Sequence, residues 1–219
     1  HVHDWPTALL APLLRLREPQ GTPLGGAATV LTIHNVAYQG IYDASVYPYL
    51  GFGPGHFTPD EFECYGKVNL LKAGVAWADA LTTVSPGYAA EILTPAGGQG
   101  LAPYLVRRQA DLVGILNGAD YEHWNPATDP RIPARYSARA PGNKAACKRA
   151  LQERLGLRPD PATPLIGAVS RLAAQKGLDW LRAFLPDLLN RLDFQFAALG
   201  TGDPALENYL RWISAAYPD

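Results

Sequence analysis

Ser170-Arg171-Leu172-Ala173-Ala174-Gln175-Lys176-Gly177 follows the apolar run Leu165-Ile166-Gly167-Ala168-Val169 and precedes a helical pattern that starts near Gly177. The apolar run reads as a buried parallel strand. Arg171 and Lys176 therefore fall in the loop that leaves a strand and enters a helix. In open α/β sheets ligands bind just beyond the carboxyl ends of the strands, and a helix N-terminus there favours anions. A guanidinium fork and an ammonium point charge at that place suit a diphosphate. Two solvated surface cations would be the plainer reading of an isolated Arg and Lys. Their position after a strand, and the rest of the chain, turn the reading toward an anion site.

The same alternation runs through the sequence. Apolar, β-branched runs recur at 28–33, 80–84, 112–116, Leu165–Val169 and 194–199. Between most of them lie helical patterns. Residues 6–17 place Leu9, Leu10, Leu13, Leu14 and Leu16 on one broad face. Residues 59–78 open on Thr58-Pro59-Asp60-Glu61, a capping box with proline at the first helical position. Ser85-Pro86 starts a helix that runs to about Leu93, with Ser85 as its cap. Residues 143–155 end at Gly156, a C-terminal glycine stop. A helix over 177–192 contains Pro186, which is expected to kink or split it, and 204–217 is the last. Strands alternating with helices predict an α/β fold with a doubly wound parallel sheet.

Residues 120–142 are rich in Pro, Asn, Asp, Arg and Tyr and show no period. They read as a linker, with a domain boundary near Gly118. Domains 1–118 and 119–219 then each hold too few strands for a sheet of ordinary size. The chain has no methionine and opens in His1-Val2-His3-Asp4-Trp5, which looks like the tail of a strand. Both features predict an internal piece of a longer protein, with both domains truncated.

Bulk properties remove several classes. Of 219 residues, 47% are hydrophobic and 18% charged, a globular composition. A net charge of −1 gives no electrostatic case for nucleic acid or an anionic membrane. No apolar stretch approaches bilayer length. The two cysteines, Cys64 and Cys147, lack metal or redox spacing and predict buried thiols in a reducing compartment.

Polar residues collect at the expected strand ends: Asp4, His34-Asn35, Ser85, Asn117-Gly118, Arg171, and Gly200-Thr201-Gly202-Asp203. Together they predict a cleft between two α/β domains. Each has a plainer reading: a hydrogen-bonded structural histidine for His34, and a turn for Asn117-Gly118. Gly200-x-Gly202-x-x-Ala205 matches a dinucleotide fingerprint, but a tight strand-to-helix turn also explains those glycines. His1-x-His3-Asp4 raises a metal reading, as in metal-dependent hydrolases. His34, His56 and His123 show no ligand spacing to complete it, so no metal is expected.

Taken in order, these segments resemble the bacterial and plastid glycogen/starch synthases, retaining glucosyltransferases of GT-B architecture. The resemblance is carried by His3-Asp4-Trp5, Thr32-Ile33-His34-Asn35-Val36-Ala37-Tyr38-Gln39-Gly40, Leu70-Leu71-Lys72-Ala73-Gly74 and Ala78-Asp79-Ala80-Leu81-Thr82-Thr83-Val84-Ser85-Pro86. It continues through Gly114-Ile115-Leu116-Asn117-Gly118-Ala119-Asp120, Trp124-Asn125-Pro126, Val169-Ser170-Arg171-Leu172 with Gln175-Lys176-Gly177, and Leu199-Gly200-Thr201-Gly202-Asp203-Pro204. Pro6 stands where the family has histidine.

The resemblance implies two Rossmann-like domains facing a cleft: 1–118 from the N-terminal domain, and 119–219 as linker and start of the C-terminal one. It implies transfer of glucose from ADP-glucose to the non-reducing end of an α-1,4-glucan, with retention and without metal or other cofactor. Arg171 and Lys176 would stabilise charge on the distal phosphate. His34 would contact the donor glucose, and Asp4 would lie near that sugar or the acceptor. Asn117, Gly200 and Gly202 would bind substrate. The family's Lys-x-Gly-Gly loop would lie before residue 1 and its spaced glutamates after residue 219, so this piece is expected to be inactive by itself. A bacterial cytoplasm is the expected compartment, ahead of a plastid. The alternatives are another GT-B sugar-nucleotide transferase, a non-catalytic glucan- or nucleotide-binding piece, and the metal hydrolase.

Overall fold

A computed structural model describes residues 1–18 and 21–218. The chain divides into two compact units, His1–Gly118 and Ala119–Asp219.

The first unit opens with strand β1 (Val2–His3), helices α1 (Asp4–Ala8) and α2 (Leu10–Leu16), and β2 (Val30–Ile33). The broad leucine face at 6–17 is thus two helices. Pro12 has no N–H to give the Ala8 carbonyl, and the helix breaks at Leu9. Strands β3 (Ile41–Asp43), β4 (Glu63–Cys64) and β5 (Lys67–Asn69) form a small antiparallel sheet in the order β3-β5-β4.

That sheet corrects the helix expected at 59–78. Tyr65 and Gly66 both hold positive φ, 51° and 74°, the turn that joins two antiparallel strands most tightly. Cys64 pairs with Lys67 across it. Helix α3 (Leu70–Trp77) starts only afterwards, capped by Asn69, whose Oδ1 accepts from Lys72 N at 2.9 Å.

The unit closes with β6 (Ala80–Thr83), α4 (Pro86–Glu91), α5 (Ala102–Arg107) and β7 (Leu112–Gly114). Strands β1-β2-β6-β7 make a parallel sheet in that order. Ser85 caps α4, its Oγ accepting from Tyr88 N at 2.9 Å. Leu31, Ile33 and Leu81 from the sheet pack with Leu71, Val75 and Leu105 from the helices, and with Leu101 just before α5, in one core. Gly74 lets α3 approach closely, since a Cβ there would lie 2.7 Å from Ala8 Cβ. Tyr47, Phe52, Phe62, Val68 and Leu70 form a second core under the small sheet.

Lys72 is fully buried between these cores. Its Nζ donates to the carbonyls of Pro59 and Glu63 and sits 4.1 Å from the Tyr104 ring centroid. The ammonium thus ties down the turn before β4, supported by a cation–π contact. Lys72→Met keeps the stem but strands two carbonyls, at a cost of about 2–4 kcal/mol. An unchanged urea midpoint would contradict this.

Asp79 joins the start of β6 to the turn before β2. It accepts from Thr29 N at 2.7 Å and Thr29 Oγ1 at 3.0 Å, and pairs with Arg15. The Thr29 amide foremost, then the Thr29 hydroxyl and Arg15, hold its carboxyl below the ordinary value of 3.8. A lowered carboxyl stabilises the fold above its unfolded pKa and loses that contribution as pH falls through its folded value. The urea-midpoint gap between wild type and Asp79→Asn should therefore be full at pH 5–7 and close progressively below about pH 4. A gap independent of pH would contradict the assignment.

The second unit holds α6 (Lys144–Leu155), β8 (Leu165–Val169), α7 (Leu178–Arg191), β9 (Gln195–Leu199) and α8 (Pro204–Ala216). Residues 120–142 carry no named helix or strand, with Ser137 and Ala140 in an isolated bridge. Helix α6 stops at Gly156, whose φ of 72° is the left-handed stop expected there. Helix α7 runs through Pro186 unsplit. The carbonyl left without a donor belongs to exposed Arg182, where water can satisfy it. Strands β8 and β9 pair in parallel over their whole length, and Leu172, Leu178 and Leu206 form a small core beside them. Ile166, Val169 and Leu199 of that sheet remain exposed.

Both cysteines are free and half-buried rather than fully buried. Cys147 Sγ donates to Ala134 O at 3.1 Å.

Candidate functional site

In the first unit, polar residues gather beyond the carboxyl ends of β1 and β2. Asp4, in the left-handed region at φ 50°, directs its carboxylate at the next strand's loop. Its Oδ1 accepts from His34 N at 2.7 Å and Asn35 N at 3.5 Å. The loop from His34 to Gly40 is held at several further points. Tyr88 Oη accepts from Val36 N at 3.0 Å, and Asn35 Oδ1 accepts from Ala37 N at 3.0 Å. Buried Gln39 donates through Nε2 to Val36 O and Gln99 O, and accepts from Asn69 Nδ2 at 2.7 Å. Gly40 lies on Trp5: a Cβ there would come within 2.5 Å of the indole, and its φ of 62° also favours glycine. The motif Thr32–Gly40 is therefore a loop fixed from all sides, with His34 exposed on it.

His3 Nδ1 lies 3.0 Å from His34 Nε2. That contact links the orientation of the His34 ring to His3. His1 stacks on His3 with ring centroids 4.4 Å apart, and its Nε2 is 2.6 Å from Thr32 Oγ1. Sequence reading raised a metal for His1-x-His3, set it aside, and missed this pairing. Among the described residues no group of three or more His, Cys, Asp or Glu is arranged to hold a metal ion. Asn117 is exposed just beyond β7, and no side-chain hydrogen bond to a described residue fixes it.

In the second unit, the loops after β8 and β9 interlock. Ser170 N donates to Leu199 O, Leu172 N to Thr201 O at 2.9 Å, and Asp203 N to Leu172 O at 2.7 Å. Leu172 is buried, which pins the backbone beside Arg171. The glycines make this possible. A Cβ on Gly200 would lie 1.9 Å from Ser170 O, and one on Gly202 would lie 2.3 Å from Leu172 O. Lys176 ends a 3-10 turn, Ala174–Lys176, whose stop is Gly177 at φ 70°. Arg171 and Lys176 are both exposed and form no ion pair with any described residue. One fixed loop thus presents two unneutralised cations beyond the carboxyl end of β8, the placement that suits an anionic ligand.

Glu207 was not singled out from sequence. Its Oε1 accepts from Gly202 N at 3.0 Å, while Oε2 pairs with Arg211 at 2.9 Å. Only the position, four residues past an N-cap aspartate, signalled it.

Comparison with known proteins finds similar sequences and a similar solved structure. Residues 1–107 match the starch synthase catalytic domain. Over all 219 residues the chain is 51% identical to a glycogen synthase of Anaeromyxobacter sp., covering 46% of that protein. It is 48% identical over 213 residues, 97% of its length, to the glycogen synthase of Geotalea daltonii, covering 43% of that protein. Among solved structures it resembles the catalytic domain of starch synthase IV from Arabidopsis thaliana bound to ADP and acarbose. That likeness has a TM-score of 0.86 and 36% identity, and covers 99% of this chain and 45% of that one. The chain spans somewhat less than half the length of these relatives. Residues 1–107 are thus similar to the starch synthase catalytic domain, and over nearly its whole length the chain is similar to part of the bacterial glycogen synthases.

Proposed function

We propose that this chain serves glucosyl transfer from ADP-glucose to the non-reducing end of an α-1,4-glucan, with retention, as part of an enzyme about as long as its relatives. The observation that carries the reading is the pair Arg171 and Lys176, exposed and without an ion pair among the described residues, on a backbone locked by Leu172, Gly200 and Gly202. The Arabidopsis relative's ADP supports a nucleotide donor, and its acarbose an oligosaccharide acceptor.

The chemistry follows from charge. As the bond from C1 to the diphosphate breaks, negative charge develops on the distal phosphate. Arg171 and Lys176 stabilise that charge more in the transition state than in the ground state. His34, oriented by His3 and by the Asp4 anchor under its loop, contacts the donor glucose. Asp4 has a second carboxylate oxygen for a sugar hydroxyl. Asn117, Gly200 and Gly202 complete the substrate contacts, the two glycines away from the diphosphate. Residues 1–118 are the last part of an N-terminal Rossmann-like domain, and 119–219 are the linker and first part of a C-terminal one. Free thiols Cys64 and Cys147 fit the reducing cytoplasm of a bacterium. Among the described residues no helix is long and apolar enough to cross a membrane.

Calorimetric titration of the 219-residue chain with ADP tests the donor half. The Arg171→Ala/Lys176→Ala double variant should bind at least tenfold more weakly, since each charge-assisted contact is worth about 1.5–3 kcal/mol. Equal affinity of wild type and double variant would remove the pair from the site.

A further inference from the structure

A glycine-rich loop running into a helix is the commonest cradle for a phosphate, because its amides are unpaired. Here they are taken. Gly202 N donates to Glu207 Oε1 at 3.0 Å. Ala205 N and Leu206 N, the first free amides of α8, donate to Asp203 Oδ1 at 2.7 and 3.3 Å. Two carboxylates therefore stand where a phosphate would enter. Arg211 neutralises only Glu207, from the side away from Gly202.

We infer that Asp203 and Glu207 close the Gly200–Asp203 loop to anions, so that a nucleotide diphosphate in this unit is left to Arg171 and Lys176. The inference rests on the donor reading above for its ligand, but its geometry stands apart from it. A phosphate at Gly202 would have to displace the Glu207 carboxylate and then lie against Asp203. The Gly202 amide, foremost, and Arg211 hold the Glu207 carboxyl below its ordinary range, so it stays ionised at neutral pH. The same bond keeps Gly202 against Leu172 O, so Glu207 also acts as a positioning residue for the loop that carries Arg171. The resemblance to a dinucleotide fingerprint is thus one of glycine spacing without its anion-binding amides.

The test is an amide NMR titration of the whole 15N-labelled chain with inorganic pyrophosphate. In wild type the amides of Ser170–Gly177 should shift, while those of Gly202, Ala205 and Leu206 should not. In Asp203→Ser/Glu207→Ala, where an uncharged serine keeps the helix cap, the Gly202 amide should shift with pyrophosphate. Glu207→Gln, which keeps the acceptor oxygen, should leave Gly202 unresponsive and guards against misfolding of the double variant. In wild type the Gly202 amide should also titrate in acid with the Glu207 carboxyl, and in Glu207→Gln it should not. A wild-type Gly202 shift on pyrophosphate would overturn the inference, as would an inert Gly202 amide in the folded double variant. No response at Ser170–Gly177, with the gain at Gly202 intact, would instead sink the donor reading alone.

Discussion

Lys176→Ala should lower kcat on the order of a hundredfold or more, the usual loss when one preorganised donor to a developing charge is removed. The assay system is a chimera in which these 219 residues replace the matching segment of the Anaeromyxobacter relative, 51% identical over the same span. Lys176 is exposed and pairs with no described residue, so its loss should leave the unfolding midpoint unchanged. The two readouts therefore separate: a rate effect without a stability effect identifies a group that acts on substrate. If the charge matters only as the diphosphate leaves, kcat falls and KM moves little. Near-wild-type turnover would strip Lys176 of its role.

Gly200→Ala should be the most damaging single methyl in the second unit. Its Cβ would lie 1.9 Å from the Ser170 carbonyl oxygen, a backbone atom that a rotamer change cannot move. The loops after β8 and β9 must part, at a cost of about 3 kcal/mol or more. Because Ser170 adjoins Arg171, ADP affinity should fall along with stability, unlike in Lys176→Ala. Gly167→Ala is the control: it lies in the adjoining strand β8, and a Cβ there meets nothing within 4 Å. Equal urea midpoints for the two variants would contradict the interlocked-loop account.

What could be read beforehand, and what could not, has a common cause. Strand Leu165–Val169, the Ser85 cap and the Gly156 stop are set by neighbours within a few residues, and all three stand where local chemistry puts them. The hairpin β4–β5 was hidden because Thr58-Pro59-Asp60-Glu61 has the form of a capping box, while its decisive turn places a tyrosine, Tyr65, at positive φ. Lys72 fell inside the helix expected at 59–78; its partners are carbonyls 9 and 13 residues back. His3 and His34 meet across 31 residues because β1 and β2 pair in parallel, with His3 opposite Thr32. Such contacts depend on strand order, which periodicity does not contain. The loop position of Arg171 and Lys176 was legible because a loop after a parallel strand needs only local information to be placed. Glu207 was not, since its place four residues past an N-cap aspartate is only a faint sign that it reaches back to Gly202.

The central claim is tested most directly by following radiolabelled glucose from ADP-glucose into glycogen with the chimera, in EDTA and with UDP-glucose in parallel. ADP-glucose-dependent incorporation that α-amylase digests, and that Arg171→Ala/Lys176→Ala abolishes, is the result expected. Incorporation that survives the double variant, or that comes from UDP-glucose alone, would contradict it.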